Sequence, residues 1–227
     1  MGDRRSPLQK FILRAPTRNL MADIQIKPVP LWKRCLDLLL ILVSAPLTLP
    51  VLALVALLVR IMMGSPVLFR QKRPGRGGKP FELVKFRTMT NEVDEHGELL
   101  PDKDRLTRFG KFLRATSLDE LPEIANVIRG EMSLVGPRPL LMEYLPLYSS
   151  EQARRHAVLP GLTGWSQIRG RNLLSWPEMF KLDLWYVDNL NPALDLRILV
   201  ETIFSVLSSR GVNEPGQATR QKFTGEQ

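Results

Sequence analysis

The run Ser117-Leu118-Asp119-Glu120-Leu121-Pro122 sets two adjacent carboxylates just ahead of a proline and leads into Glu123-Ile124-Ala125-Asn126-Val127-Ile128. Proline lacks an amide proton and is tolerated only in the first helical turn, so Pro122 keeps Asp119 and Glu120 at the mouth of the helix that follows. Free amides and the positive end of the helix dipole favour a phosphate there. Adjacent carboxylates suit Mg²⁺, which takes one or two carboxylates together with phosphate oxygens and water, so Asp119 and Glu120 are also the candidate metal ligands. A carboxylate can attack phosphorus and split one hard transfer into two easier ones. Ser117 and Glu120 equally fit an S-x-x-E capping box, a structural use of the same residues.

Two arginine loops offer counter-charge. Gly136-Pro137-Arg138-Pro139 fixes an arginine between two rigid residues, which reduces the entropy lost when its guanidinium forks onto phosphate. Gly170-Arg171-Asn172 sets another at a glycine turn, with Asn172 able to donate or accept, and Arg114 precedes Asp119 by one helical turn and a half.

The elements that must carry these residues begin with a membrane segment. No charged residue occurs from Leu38 to Val59, and about 20 apolar residues suffice to cross a bilayer. A buried core helix is the other use for such a run. Pro46 and Pro50 lie inside it, where each removes a helix hydrogen bond and forces a kink or break. Basic residues flank both ends, with Lys33 and Arg34 before and Arg60, Arg70, Lys72 and Arg73 after, whereas a spanning helix leaves its positive excess on one side. A helix that enters, bends at the prolines and returns keeps both ends in the cytosol, with Ser44 and Thr48 placed to cap freed backbone groups.

Residues 1–30 mix Arg, Pro and polar residues without periodicity and read as a basic, disordered tail. Residues 31–63 form the re-entrant membrane helix, 64–212 a cytosol-facing catalytic domain, and 213–227 a polar C-terminal tail. Within the domain, Val67–Gln71 and Phe81–Met89 are rich in strand formers and predict a hairpin around the basic loop Arg73–Pro80. That loop is not a P-loop, because it lacks the Gly-Lys-Ser/Thr ending and no helix follows. Residues 91–105 predict an exposed loop or short helix. Phe109, Phe112 and Leu113 alternate with Arg108, Lys111 and Arg114 as a basic amphipathic stretch suited to a membrane interface. Trp176–Asn189 and Leu194–Ser209 predict two further helices. The fold class is therefore α+β and membrane-embedded, with a small hairpin and interfacial amphipathic helices around a compact catalytic domain.

Charge and cysteine content bound the function. The net charge of +9 asks for a polyanionic partner. In the first 34 residues Arg4, Arg5, Lys10, Arg14, Arg18, Lys27, Lys33 and Arg34 outweigh Asp3 and Asp23 immediately before the apolar run, a placement that favours anionic lipid head groups over a nucleic-acid groove. Cys35 has no partner for an intrachain disulfide, and with His96 and His156 as the histidines a Cys/His zinc site is excluded. The apolar run begins too late and is too long for a cleaved signal peptide.

From about Lys33 to Val212 the chain resembles the bacterial sugar transferases, or monotopic phosphoglycosyl transferases, and most closely their small PglC-like members. The carriers are Lys33-Arg34-x-x-Asp37, Phe69-Arg70-Gln71 with Arg73-Pro74-Gly75, Lys85-Phe86-Arg87-Thr88-Met89 and Thr116-Ser117-Leu118-Asp119-Glu120-Leu121-Pro122. They continue with Asn126-Val127-Ile128-Arg129-Gly130-Glu131-Met132-Ser133, Gly136-Pro137-Arg138-Pro139, Pro160-Gly161-Leu162-Thr163-Gly164-Trp165, Gly170-Arg171-Asn172 and Leu194-Asp195-Leu196. The resemblance implies Mg²⁺-dependent transfer of a sugar-phosphate from a UDP-sugar to undecaprenyl (polyprenyl) phosphate, with release of UMP. It implies a location at the cytoplasmic face of the bacterial inner membrane, contact with bilayer lipids, and a product that passes to downstream glycosyltransferases. By it Asp119 matches the nucleophile and Glu120 its dyad partner. Arg114, Arg138 and Arg171 match phosphate-associated positions, with Pro137, Pro139 and Asn172 beside them, and Asp195 matches a recurrent acid. Relatives carry Ser-Pro at the bend where this chain has Leu49-Pro50, so the serine that would cap the freed carbonyl is missing here.

A non-catalytic, membrane-anchored basic scaffold that binds phosphorylated lipids or partner proteins accounts for the tail, the apolar run and the amphipathic helices. It leaves Asp119-Glu120 and both arginine loops without a role. No recognised motif supports nucleic-acid binding.

Overall fold

A computed structural model describes residues 24–170, 173–207 and 222–225. Residues 1–23 of the expected tail, Arg171 and Asn172, and most of the polar C-terminal tail lie outside the described residues; the rest of the expected tail, 24–30, is packed rather than disordered, with Ile24 in the main core and Lys27 donating its amide to the Ala157 carbonyl at 3.0 Å.

Helix α1, Leu31–Met63, is a continuous helix, about 50 Å long at 1.5 Å per residue. It runs through Pro46 and Pro50 and stops at Gly64, whose left-handed φ of 72° needs no Cβ and lets its amide reach the Arg60 carbonyl. In its most apolar 18-residue window 6% of positions are buried, which excludes the core-helix alternative. Ser44 donates to the Ile41 carbonyl at 3.2 Å. That is one residue short of the Leu42 carbonyl, the group Pro46 leaves unpaired, so Ser44 does not cap it.

Both ends of α1 are fastened to the same body. At the start, Arg34 donates to the Val127 and Ile128 carbonyls, and Asp37 accepts from the Ser133 hydroxyl at 3.0 Å and the Leu134 amide at 3.1 Å. At the end, Arg87 donates to the Met63 carbonyl and, at 3.2 Å, to the Ser65 carbonyl. The arms also fill separate apolar clusters: Ile41 packs with Phe81, Leu83, Val127 and Met132, whereas Val55 and Val59 pack with Phe86 and Leu113.

Strands β1 (Leu68–Pro74) and β2 (Pro80–Phe86) form the expected antiparallel hairpin, with Arg73 opposite Phe81 and Phe69 opposite Lys85. The connection is tighter than the sequence suggests, because Arg73, Pro74 and Pro80 join the ladder and a one-turn 3₁₀ segment, Arg76–Gly78, makes the turn. β2 ends three residues before Met89, since Arg87 turns to the end of α1 and Thr88 to Arg114.

A short α2 (Asp102–Arg105) follows the charged loop, and Thr107 then caps α3 (Arg108–Ala115) by accepting from the Gly110 amide at 2.8 Å. α3 is amphipathic as expected: Leu113 is fully buried and Phe112 stays exposed beside Lys111. A 3₁₀ segment, Leu118–Glu123, leads into α4 (Ile124–Arg129) and then β3 (Ser133–Val135). Beyond lie a 3₁₀ segment at Met142–Leu147, α5 (Ser150–Ala153), another at Arg154–Ala157, β4 (Gly161–Thr163), α6 (Trp165–Arg169), α7 (Trp176–Asn189) and α8 (Pro192–Leu207). β4 pairs in parallel with β3, and the backbones meet so closely that a Cβ on Gly161 would lie 2.0 Å from the Gly136 amide nitrogen.

α7 matches the sequence because Ser175 and Glu178 form a full capping box ahead of Pro177. The main core gathers its inner face with Tyr144, Tyr148 and Ile198, and Phe223 closes it among Tyr144, Tyr148, Trp176 and Phe180 at 5.2–5.8 Å between ring centroids. α8 buries Leu194 and Ile198 but exposes Leu196, Val200, Ile203 and Phe204 at helical spacing, an apolar stripe suited to a membrane surface.

Candidate active site

The dyad sits in the 3₁₀ segment, not at a capped helix start. Ser117 adopts a left-handed conformation (φ 57°) and its side chain caps nothing, so the capping box does not form. Glu120 is instead drawn to two cations. Lys85 reaches its Oε1 at 2.7 Å, and Arg138 forks onto it with Nη2–Oε1 at 2.5 Å and Nη1–Oε2 at 3.4 Å. A charge-assisted hydrogen bond contributes about 1.5–3 kcal/mol against about 1 kcal/mol for a neutral cap, so the electrostatic arrangement wins.

Lys85 also holds Glu123 at 3.0 Å, bridging the two glutamates. In a 3₁₀ segment residues three apart eclipse, which puts Glu120 and Glu123 on one face above the strand that carries Lys85. Asp119 is 8% exposed, and among the described residues nothing donates a hydrogen bond to it. Burial and the adjacent Glu120 charge push its carboxyl up to about 6, against the opposing pull of Lys85, Arg138 and Arg114. Burial alone would also raise Glu120, but Arg138 and Lys85 overcome it and hold that carboxyl well below the usual range. Glu123 is pushed up to about 7, by burial first and Glu120 next, despite Lys85.

Arg114 donates to the Thr88 hydroxyl at 3.1 Å and feels Asp119 as its strongest charged neighbour, while burial lowers its own pKa. It is paired with no carboxylate among the described residues, which leaves the guanidinium open to an anion. Arg138 is 39% exposed, so it too can meet a ligand while holding Glu120. Its neighbours Pro137 and Pro139 are buried. The structure thus brings Asp119, Glu120, Arg114 and the Pro137-Arg138-Pro139 turn together. Asp195 lies elsewhere: it pairs with Lys33 at 2.5 Å and accepts from Tyr186 at 2.8 Å, tying α8 and α7 to the start of α1. Arg171 and Asn172 fall outside the described residues.

Lys85, Glu123 and Arg73 are site residues that motif reading did not assign. A lysine at 85 shares its strand face with Leu83 and Phe81, and a charge on an otherwise apolar face was the available signal. Arg73 donates to Gln71 Oε1 at 2.6 Å and to the Pro139 carbonyl at 3.4 Å, and burial with the nearby Arg138 charge lowers its pKa to about 10.

Of the two carboxylates expected to hold Mg²⁺, Glu120 is not placed to do so, and Asp119 is the one that could take the ion; no cluster of three or more metal-ligating side chains occurs among the described residues. Both Glu120 oxygens are engaged by cations, whereas the Asp119 carboxylate is free, and one carboxylate with substrate phosphate oxygens satisfies the ion.

A buried aspartate under the electrostatic influence of Lys85, Arg138 and Arg114, on a body that carries one helix long and apolar enough to cross a membrane, has the charge arrangement of an enzyme that handles anionic substrates. The chain belongs to the bacterial sugar transferase family, whose description it matches over residues 29–209. It is 58% identical over 167 residues to the uncharacterized sugar transferase EpsL of Bacillus subtilis, covering 74% of this chain and 83% of that one. It is 40% identical over 191 residues to the UDP-glucose:undecaprenyl-phosphate glucose-1-phosphate transferase of Caulobacter vibrioides, covering 80% and 72% of the two chains. With the UDP-N-acetylgalactosamine-undecaprenyl-phosphate N-acetylgalactosaminephosphotransferase of Aeromonas hydrophila it shares 35% identity over 195 residues, covering 81% of this chain and 46% of that one.

Proposed function

We propose that this enzyme transfers a sugar-1-phosphate from a UDP-sugar to undecaprenyl or a related polyprenyl phosphate and releases UMP. The observation that carries the reading is the buried Asp119 carboxylate, without a hydrogen-bond donor among the described residues, next to Glu120, which Lys85 and Arg138 hold at 2.7 and 2.5 Å. An Asp119 oxygen attacks the sugar-bearing phosphorus, the bond to the bridging oxygen breaks, and its electron pair leaves with UMP. A phosphate oxygen of the polyprenyl acceptor then attacks the same phosphorus and returns the carboxylate. Arg114 and Arg138 offset charge that develops on the phosphoryl oxygens, and Lys85 keeps Glu120 and Glu123 from repelling the donor. Mg²⁺, when bound at Asp119 against the donor, supplies further neutralisation.

The same proposal places α1 as a re-entrant helix and the domain on the cytoplasmic face of the inner membrane. Supporting it, Arg34 and Asp37 at one end and Met63 at the other are fastened to a single body, while most of the apolar run between them, Val55 and Val59 apart, is not buried.

The test is to incubate enzyme-bearing membranes with a panel of UDP-sugars and Mg²⁺ and assay UMP, then to trap enzyme with donor alone for intact-mass measurement. A phosphosugar adduct on Asp119 is expected. No UMP with any donor in the presence of polyprenyl phosphate rejects the reaction, and UMP without an adduct, under kinetics that require both substrates together, rejects the covalent route.

The nucleophile must be ionised, so kcat/KM for UMP release should fall about tenfold per unit below an apparent pKa near 6 and level off above it. Glu120→Gln removes a charge that raises the Asp119 pKa, so the acid limb of the residual activity should move to lower pH. A limb that stays in place in this variant would mean that another group sets it.

A further inference from the structure

The Pro137-Arg138-Pro139 turn is pinned by its backbone. The Pro137 carbonyl accepts from the Gly161 amide at 3.1 Å, the Arg138 carbonyl from Arg155 Nη2 at 2.8 Å, and the Pro139 carbonyl from Arg73 Nη1 at 3.4 Å. Three successive carbonyls are thus held from three different elements: β4, the 3₁₀ segment Arg154–Ala157, and β1. Immediately before the turn, Gly136 is pressed against the chain entering β4, where a Cβ would stand 2.4 Å from the Leu159 carbonyl oxygen and 2.8 Å from the Gly161 amide nitrogen.

The shortest of these bonds comes from a deeply buried side chain. Arg155 and Asp183 side chains are each 1% exposed and pair through Nη2 at 2.7 Å and Nε at 3.1 Å, while Asp183 Oδ1 accepts from the Ser166 hydroxyl at 2.7 Å. Nη2 carries two protons, so one can serve Asp183 and the other the Arg138 carbonyl. A buried ion pair adds little net stability, since desolvation offsets its attraction, so its presence calls for another reason. Arg155 has one: it is the only side chain among the described residues that reaches the Arg138 backbone oxygen.

We infer that Arg155, oriented by Asp183, is a positioning residue that sets the Arg138 guanidinium onto Glu120 and toward the donor phosphates. It touches neither substrate nor dyad and acts through the peptide of Arg138. The inference rests on the proposed role of Arg138 in the transferase reaction.

Arg155→Lys keeps a cation for Asp183 but loses the planar fork that serves both partners. With enzyme in membranes, it should lower kcat for UMP release about ten- to a hundredfold, the scale on which a small misplacement acts. In an Arg138→Ala background the same change should cost less than about twofold, because the positioned group is gone. If Arg155→Lys does not fold, Arg155→Met with Asp183→Leu removes both buried charges together, a replacement that buried pairs commonly tolerate, and is run through the same cycle. Equal losses in the two backgrounds, or full activity in a folded variant, overturn the inference while leaving the reaction intact. An Arg138→Ala enzyme with undiminished activity overturns the inference together with the assigned role of Arg138.

Discussion

Asp119→Asn should lower UMP release by about 10³-fold or more, the scale seen when a nucleophile is removed from a unit that acts together. The amide is nearly isosteric, and nothing among the described residues hydrogen-bonds the native carboxylate, so folding should be little disturbed. Removal of this charge also relieves its repulsion with Glu120, and thermal stability should hold or rise above pH 6. The decisive comparison is turnover against melting temperature in one detergent-solubilised preparation. Near-normal UMP release from the folded variant would reject Asp119 as the nucleophile.

Lys85→Met should act on stability as strongly as on rate. Methionine matches the aliphatic stem, but it leaves Glu120 and Glu123 without the ammonium that bridges them at 2.7 and 3.0 Å. Breaking a buried pair by removing one partner costs about 3–5 kcal/mol. The pH dependence has a definite sign. Glu123 titrates near 7 in the folded protein against an ordinary 4.5, so its ionised burial is unfavourable above that range and relieved as it protonates. Without Lys85 that pKa rises further, and the destabilisation should be greatest above about pH 7 and shrink toward pH 5. A penalty that does not change across this interval would show that Glu123 is not the strained group. Turnover should fall as well, because Arg138 must then serve Glu120 alone.

How far the sequence anticipates this arrangement depends on the range of each interaction. The hairpin, α7 and the apolar helix are legible because strand-forming composition around a turn, a broad apolar surface and an uncharged run are local. Asp119 and Glu120 are legible as a pair because they are adjacent. Lys85 is not, since its partners lie 35 and 38 residues away and only folding brings them together. β3 and β4, three residues each and paired in parallel, are too short to show a period. Asp183 looks like an interruption of the apolar face of α7, yet it is among the most buried residues because Arg155 meets it there. The capping signature at Ser117 misleads for the opposite reason. The local preference is present, and distant cations outcompete it at the expense of about 1–3 kcal/mol of left-handed backbone strain.

The ring at position 223 has a consequence for biogenesis. The aromatic core cannot be completed until that residue is synthesised, about 160 residues after the end of α1. At ribosomal speeds of about 5–20 residues per second, the anchor emerges roughly ten to thirty seconds before the domain can close. The apolar helix is therefore available to a bilayer well before the aromatic core can finish packing.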